Sequence, residues 1–388
     1  MFSRQSGVFI FGGLITIAVG RLFGLIELFI MGTALITCVV VATLLVITQK
    51  PNIEINRAVV PRNPEAGQII EVELSVLTNS RIPACDVYES TEDGGRVHIS
   101  LAPLPSGHMA RASYQIATHH RGDLILGPAI VEVADPLGLS RRSKNLGQST
   151  EVTVFPQSVD IDLPDPKIGT GELVDAIKRA IRNQPTSSEF RSMREYSVGD
   201  DPRRINWKVS AKREDLVVNE YETEIAVDMH ITLDTQTRSY SPEGFERAVS
   251  VAASFARSTA NQNDEDFAKV SINCGLQNFS ISAPAEATQV LKFLARITAV
   301  DNDSIHISTR ESGQLKVDVI ITGNPDSQWI ETTWKQCGSA RIVVVIFCEN
   351  SPVASNLPTH WFVLSGQQLK FFAESWNLLS SLSAEYLV

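Results

Sequence analysis

The sequence lacks the motifs that would make it an obvious enzyme. Its 388 residues contain no Walker A loop, no H-E-x-x-H, no G-x-S-x-G and no G-x-G-x-x-G. No phosphate cradle is recognisable, so the chain is not expected to hydrolyse nucleotide itself. Cysteine is sparse: Cys38, Cys85, Cys274, Cys337 and Cys348, with no C-x-x-C among them. An odd, scattered set excludes a disulfide framework and a zinc knuckle, and points to buried thiols in a reducing compartment. Basic runs are missing too, with 34 Lys and Arg against 44 Asp and Glu and a net charge of −10. Sequence-independent nucleic-acid binding needs clustered cations to displace counterions, so no nucleic-acid partner is expected.

Charge as a whole is low, 20% of residues against about 25% in ordinary soluble domains. The deficit sits in the first 48 residues, where only Arg4, Arg21 and Glu27 are charged. Gly7 to Ile47 is almost continuously apolar, well beyond the roughly 20 residues that one membrane span needs. The pattern predicts two helices, about Ser6–Leu22 and about Leu28–Thr48, joined by a tight turn in a membrane hairpin (residues 1–50). Arg21 would snorkel toward lipid headgroups. Arg4 on one side and Lys50, Arg57 and Arg62 on the other place both ends in the cytoplasm by the positive-inside bias. A signal peptide is the alternative, with Arg4, the apolar stretch and Ala18-Val19-Gly20 as its three parts. The second helix would then still anchor the chain.

Residues 51–156 read as an all-β unit. Runs such as GQIIEVELSVLTN alternate apolar and polar residues, and turn clusters at Asn79-Ser80, Pro105-Ser106-Gly107 and Arg121-Gly122-Asp123 separate them. The expectation is an antiparallel β-sandwich. His119-His120 beside a turn, with no thiol partner, reads as a solvated strand end and not a metal site. Residues 157–224 read as a linker, a helix with Leu173, Ile177 and Ile181 on one face, and a charged block. From residue 225 to 388, strands alternate with helices, which predicts an α/β domain with a mainly parallel sheet covered on both faces. Its helices are expected at Glu243–Asn261, Ala285–Ala299, Ser327–Gln336 and Gln367–Leu379. Ligands of such sheets sit at the carboxyl ends of strands, so Asp234 to Arg238 is the place to look.

The charged block, Glu189 to Glu224, carries 16 charged residues in 36, seven basic and nine acidic. Both signs interleave with Phe190, Tyr196, Ile205, Trp207 and Leu216. This pattern suits a segment pinned by ion pairs, or a protein-docking surface, since Arg and aromatic residues are favoured at interfaces. A catalytic alternative uses Arg194, Arg203 and Arg204 as an anion clamp, with Asp200 and Asp201 as acid and base.

Within this block the spacing E-F-x-x-x-R-x-Y-x-x-G-D-x-x-R-x-I-x-W-x-x-S-A resembles the signature of the bacterial domain of unknown function 58 family. Glu189, Phe190, Arg194, Tyr196, Gly199, Asp200, Arg203, Ile205, Trp207, Ser210 and Ala211 carry it. Asn206 and Lys212 depart mildly, standing where the family pattern has Asp and Arg. The apolar pair, RGDLILGP, DPLGLSRR and the later α/β region also fit that family's layout. The resemblance implies a von Willebrand factor type A-like (Rossmann-like) domain at the C-terminus and a partnership with a MoxR-type AAA+ ATPase. It implies no reaction. Domains of that type often hold Mg²⁺ through D-x-S-x-S and a later T-D-G. Here the first segment is Asp234-Thr235-Gln236-Thr237-Arg238 and the second is Thr322-Gly323-Asn324. Arg238 would repel a cation and the second carboxylate is missing, so no metal is expected. Asp234 would instead tie down a turn. Thr235, Thr237 and Asp326 are the elements of a variant Mg²⁺ site.

The expectation is a membrane-anchored cytosolic adaptor or scaffold at the bacterial inner membrane. It would touch lipid and work with the ATPase on an unidentified client in remodelling or envelope-related assembly. The rivals are a metal-dependent ligand-binding module at Asp234, and an envelope enzyme of unknown reaction.

Overall fold

The structure is a computed structural model that describes residues 4–48, 53–91, 95–164, 171–183, 189–197, 200, 202, 205–212, 215–222, 227–261, 270–275, 277–281, 283–301, 315–324, 335, 342–350 and 357–380. The chain divides into two compact units, Met1–Phe155 and Pro156–Val388.

The first unit opens with two helices, α1 (Arg4–Phe23) and α2 (Ile26–Thr48), each long and apolar enough to cross a bilayer. The break between them is shorter than the sequence predicts. Gly24 takes a left-handed φ of 68°, and the Leu25 N–H bonds back to Gly20 O at 2.9 Å. That closure satisfies the end of α1 and lets α2 begin at once. Ser6, Gly13 and Gly20 on α1 are buried, as are Gly32, Val39 and Val46 on α2. Both sets repeat every seven residues. A Cβ on Gly32 would run into Gly13 O and Thr16 Oγ1, so the backbones approach as closely as small residues allow.

Nine strands follow: β1 (Ile53–Val60), β2 (Ile69–Thr78), β3 (Cys85–Ser90), β4 (Arg96–Leu101), β5 (Met109–Ala117), β6 (Gly122–Leu126), β7 (Ala129–Ala134), β8 (Arg141–Leu146) and β9 (Thr150–Val154). They form antiparallel sheets in the orders β1-β2-β5 and β4-β3-β7-β8, with β6 paired to β9. Ile53, Ile55, Leu74 and Val76 of the first sheet share one buried cluster with Cys85, Val87, Val131 and Val133 of the second. The alternation that predicted strands is the alternation that fills this core. One ion pair is sealed inside: Arg57 on β1 bonds Glu89 on β3, and both side chains are almost wholly buried. Tyr114 donates to the other Glu89 oxygen at 2.5 Å, and Arg57 Nη1 donates to Gln148 O at 2.5 Å. Burial and the Glu89 carboxylate push the Tyr114 hydroxyl far above its ordinary pKa. His119 and His120, between β5 and β6, are exposed.

The second unit contains α3 (Glu172–Asn183), β10 (Glu189–Glu195), the single turn α4 (Trp207–Ser210), β11 (Val217–Glu222), β12 (Val227–Leu233), α5 (Pro242–Asn261), β13 (Val270–Cys274), β14 (Gln277–Ile281), α6 (Pro284–Arg296), β15 (Leu315–Thr322), β16 (Ile342–Phe347), β17 (Phe362–Ser365) and α7 (Leu369–Ser380). Six of the strands make one mixed sheet in the order β14-β13-β12-β15-β16-β17, parallel except for β14. Met229, Ile231 and Leu233 on β12 pack with α5, α6 and α7 in one large core. On the opposite face Ile320, Val343, Val345, Phe347 and Trp361 form a second cluster. The stretch read as a linker is stitched to this unit. Val159 N–H bonds Ser254 Oγ, Ile161 N–H bonds Ser258 Oγ, and the Trp376 indole donates to Asp162 O at 2.7 Å. Burial of Ile161 and Leu163 in the core holds the stretch there. The helix expected at Ser327–Gln336 lies outside the described residues, save Lys335.

Candidate functional site: the charged hairpin and the carboxyl edge of the sheet

The signature residues gather on a hairpin. β10 and β11 pair antiparallel from Glu189↔Glu222 and Phe190↔Tyr221 to Glu195↔Val217, with a bulge between Phe190 and Ser192. The connection folds back on its own strands. Tyr196 N–H bonds Leu216 O, Ile205 bridges to Val218, and Asn206 N–H bonds Val217 O. Polar side chains tie its described residues together. Arg194 places its two terminal nitrogens on the two oxygens of Asp200, each at 2.7 Å, and Asp200 also accepts the Ser197 N–H at 2.9 Å. Asn206 caps α4 by accepting the Val209 N–H, as Asn does at helix starts, and its amide donates to Asn219 Oδ1. Ser210 Oγ accepts the Val217 N–H at 2.9 Å.

The described part of the hairpin exposes apolar groups. Trp207 is 64% exposed, Met193 45% and Leu216 42%, with Lys208, Ala211 and Lys212 exposed beside them. Ile205 is buried and Tyr196 half-buried. Gly199, Asp201, Arg203 and Arg204 lie outside the described residues. Glu189 and Phe190 are placed on β10 by register.

The second candidate is the carboxyl end of β12. Asp234 is fully buried there. Its Oδ1 accepts the Gln236 N–H at 3.0 Å and its Oδ2 accepts the Thr322 hydroxyl at 2.8 Å. Burial raises its pKa above the ordinary aspartate value, against the pull of these hydrogen bonds and of Arg238. Gln236 Oε1 accepts from Arg238 Nε at 2.8 Å. Thr235 is buried and Thr237 exposed, opening a short 3₁₀ turn over Thr237–Ser239. Asn324 N–H bonds Ser239 O at 2.6 Å; Asp326 lies outside the described residues. The Asp234 and Gln236 oxygens thus accept from protein donors, with a guanidinium alongside. Among the described residues no group of three or more His, Cys, Asp and Glu could hold a metal ion. Next to this turn, Glu349 accepts from the Ser241 N–H and hydroxyl and lies 3.5 Å from Arg247, which anchors the start of α5.

The buried Arg57–Glu89 pair lies outside the expected sites, although the sequence carries a signal for it. Arg57 falls in phase with Ile53 and Ile55, and Glu89 with Cys85 and Val87, so each charge occupies an inward position.

Two apolar helices, antiparallel sheets, and a mixed parallel sheet preceded by a charged hairpin define a two-unit protein with a candidate membrane anchor. Residues 192–304 match the family model described as "Protein of unknown function DUF58", which supports the resemblance carried by the charged block. It is 25% identical over 244 residues to the uncharacterized protein YeaD of Bacillus subtilis (strain 168), covering 60% of this chain and 58% of that one. The chain thus spans less than three fifths of the length of this curated relative. Among solved structures, the CARDB domain of a Pyrococcus furiosus protein in complex with di-metal ions is 14% identical, with a TM-score of 0.21 over 27% of this chain and 88% of that one. A PKD domain of an M14-like peptidase from a Thermoplasmatales archaeon is 18% identical, with a TM-score of 0.18 over 27% and 96%.

Proposed function

We propose that this protein is a membrane-anchored adaptor whose charged hairpin docks a MoxR-type AAA+ ATPase. The observation that carries this reading is the exposed Trp207, on the same hairpin as exposed Met193 and Leu216, whose bend is braced by Arg194 and Asp200. A large aromatic group held rigidly among charges loses little entropy on binding and has the composition of an interface hot spot. The apolar helices supply the anchor, the bulk of the chain faces the cytoplasm, and the second unit takes a von Willebrand factor type A-like role as a platform. Its parallel central strands between two apolar clusters support that reading. The client belongs to protein remodelling or envelope-related assembly. Catalysis by the hairpin is disfavoured because Arg194 and Asp200 direct their charges at each other. Asp234 serves its turn and binds no Mg²⁺.

The test is a pull-down from detergent-solubilised membranes of the native host with tagged full-length protein and ATP. Recovery of an AAA+ ATPase by wild type, and its loss with Trp207→Ala, is the expected result. No ATPase under any nucleotide condition, or equal recovery by both proteins, defeats the docking claim. Calorimetric titration with Mg²⁺ is expected to give no saturable heat.

A further inference from the structure

The turn between β7 and β8 is built unlike an ordinary surface loop. It reads Asp135-Pro136-Leu137-Gly138-Leu139-Ser140. Leu139 is buried in one cluster with Val39 and Ala42 of α2, and Phe9 and Ile10 of α1 pack against that cluster. Val39 and Ala42 lie six to nine residues inside the end of α2, which is about 9–14 Å at 1.5 Å per residue. The turn therefore reaches alongside the apolar helices and not merely to their ends. Leu137, two residues before Leu139, is 60% exposed, so its apolar surface continues that of the helix pair.

Irregular backbone tolerates an apolar medium only when its polar groups are satisfied internally. Asp135 does this for most of the turn. Its carboxylate accepts the Leu137 N–H at 2.9 Å and the Ser140 N–H, and its carbonyl accepts the Gly138 N–H at 2.9 Å. Asp135 N–H bonds Ser140 O at 3.1 Å, and Pro136 has no N–H to satisfy. Directly behind the apolar tip, Arg141, Arg142 and Lys144 are exposed on β8. Arg142 reaches Ile47 O, at the last turn of α2, at 3.3 Å. An apolar tip with cations at the level of the helix ends is the arrangement that interfacial membrane contacts use, with apolar groups about 5–10 Å deep and Lys or Arg at the headgroups.

We propose that the Asp135–Ser140 turn is a third membrane contact, with Leu137 entering the acyl region of the bilayer and the basic start of β8 lying against anionic headgroups. This rests on the membrane reading of α1 and α2. It makes the β-unit a body seated on the lipid surface, held at a point remote in sequence from the helices.

All five tryptophans lie at or after residue 207, so wild type supplies a fixed background for tryptophans introduced in the first unit. Full-length Leu137→Trp, Leu14→Trp and Ile69→Trp would be reconstituted in vesicles of phosphatidylcholine and phosphatidylglycerol, with and without brominated acyl chains. Leu14 is an exposed residue of α1, and Ile69 is a similarly exposed apolar residue at the end of β2 away from the Thr78–Ile53 pair. The expected result is that bromine removes most of the added emission of Leu137→Trp and Leu14→Trp, and none of that of Ile69→Trp. Quenching of Leu14→Trp without quenching of Leu137→Trp overturns the proposal and leaves the anchor intact. Blue-shifted but unquenched emission from Leu137→Trp shows protein covering the tip and overturns it equally. If Leu14→Trp is not quenched, the anchor reading fails and this inference fails with it.

Discussion

Arg194 grips Asp200 with both terminal nitrogens at 2.7 Å, six residues apart on a hairpin whose neighbouring side chains face solvent. The pair is partly exposed, so its Coulomb energy is modest, and Arg194→Ala is expected to cost about 1 kcal/mol or less. Asp200→Ala also removes the charged acceptor of the Ser197 N–H and is expected to cost more, about 1–2 kcal/mol. Hydrogen exchange over residues 194–200 checks the order; equal protection in both variants would show that the bend does not depend on the carboxylate.

Inside the first unit, Glu89 accepts from Arg57 with one carboxylate oxygen and from Tyr114 with the other. Glu89→Ala leaves a buried guanidinium uncompensated and is expected to destabilise that unit by about 3–5 kcal/mol. Replacing the three residues together with apolar groups of similar volume should cost far less. Urea unfolding followed by a probe placed in the first unit gives both numbers.

Asp234 has a folded-state pKa above its ordinary value because burial outweighs its hydrogen bonds. A raised carboxylate holds its proton better in the folded than in the unfolded chain. Its stabilising contribution is therefore full below about pH 4 and is lost as pH rises through the raised value. Asp234→Asn keeps an acceptor for the Gln236 N–H and removes the charge. The variant should gain stability relative to wild type as pH rises above about 4, which melting temperatures across that range would reveal. Asp234→Ala removes the bonds from Gln236, Thr322 and Ser239 and should cost about 1–3 kcal/mol.

Burial raises the thiol of Cys85 to about 11 and those of Cys274 and Cys348 to about 12. All three are then thiols and not thiolates at neutral pH, and hidden as well. Native protein should leave them unlabelled by iodoacetamide over times in which denatured protein reacts completely. Mass spectrometry of the individual peptides decides it.

In the helix pair, Gly32 faces Gly13 with no room for a Cβ. Gly32→Leu should separate α1 from α2, whereas Leu44→Ala, on an exposed position, should not. Ser6 and Val39 lie one seven-residue step from that crossing on their antiparallel helices. Disulfide trapping between cysteines placed at these two positions would report the difference.

Much of this architecture can be read from the residues alone, because period-two alternation and the long apolar run are local properties. Strand Ile69–Thr78 and helix Pro242–Asn261 follow their patterns almost to the residue. Pairings are another matter. Five arginines and three aspartates in the charged block allow several ion pairs, and spacing alone cannot select Arg194 with Asp200. The pattern Asp-Pro-Leu-Gly signals a turn, but that Leu139 lies against Val39, a hundred residues earlier, is decided by packing. Arg57 and Glu89 are legible as charges in apolar phase, but not as each other's partner.

The family match also has a mechanical implication. It begins within β10 and ends at residue 304, between α6 and β15, whereas β12 takes its two neighbours from either side of that boundary, β13 within it and β15 beyond. A fragment trimmed to 192–304 would expose the full length of the central strand as a bare edge, with the aliphatic residues Met229, Ile231 and Leu233 beside it. Such an edge recruits other chains. The stretch by which relatives recognise one another is thus shorter than the smallest piece able to stand alone, and expression trials guided by the match should yield aggregates until β15 and β16 are restored.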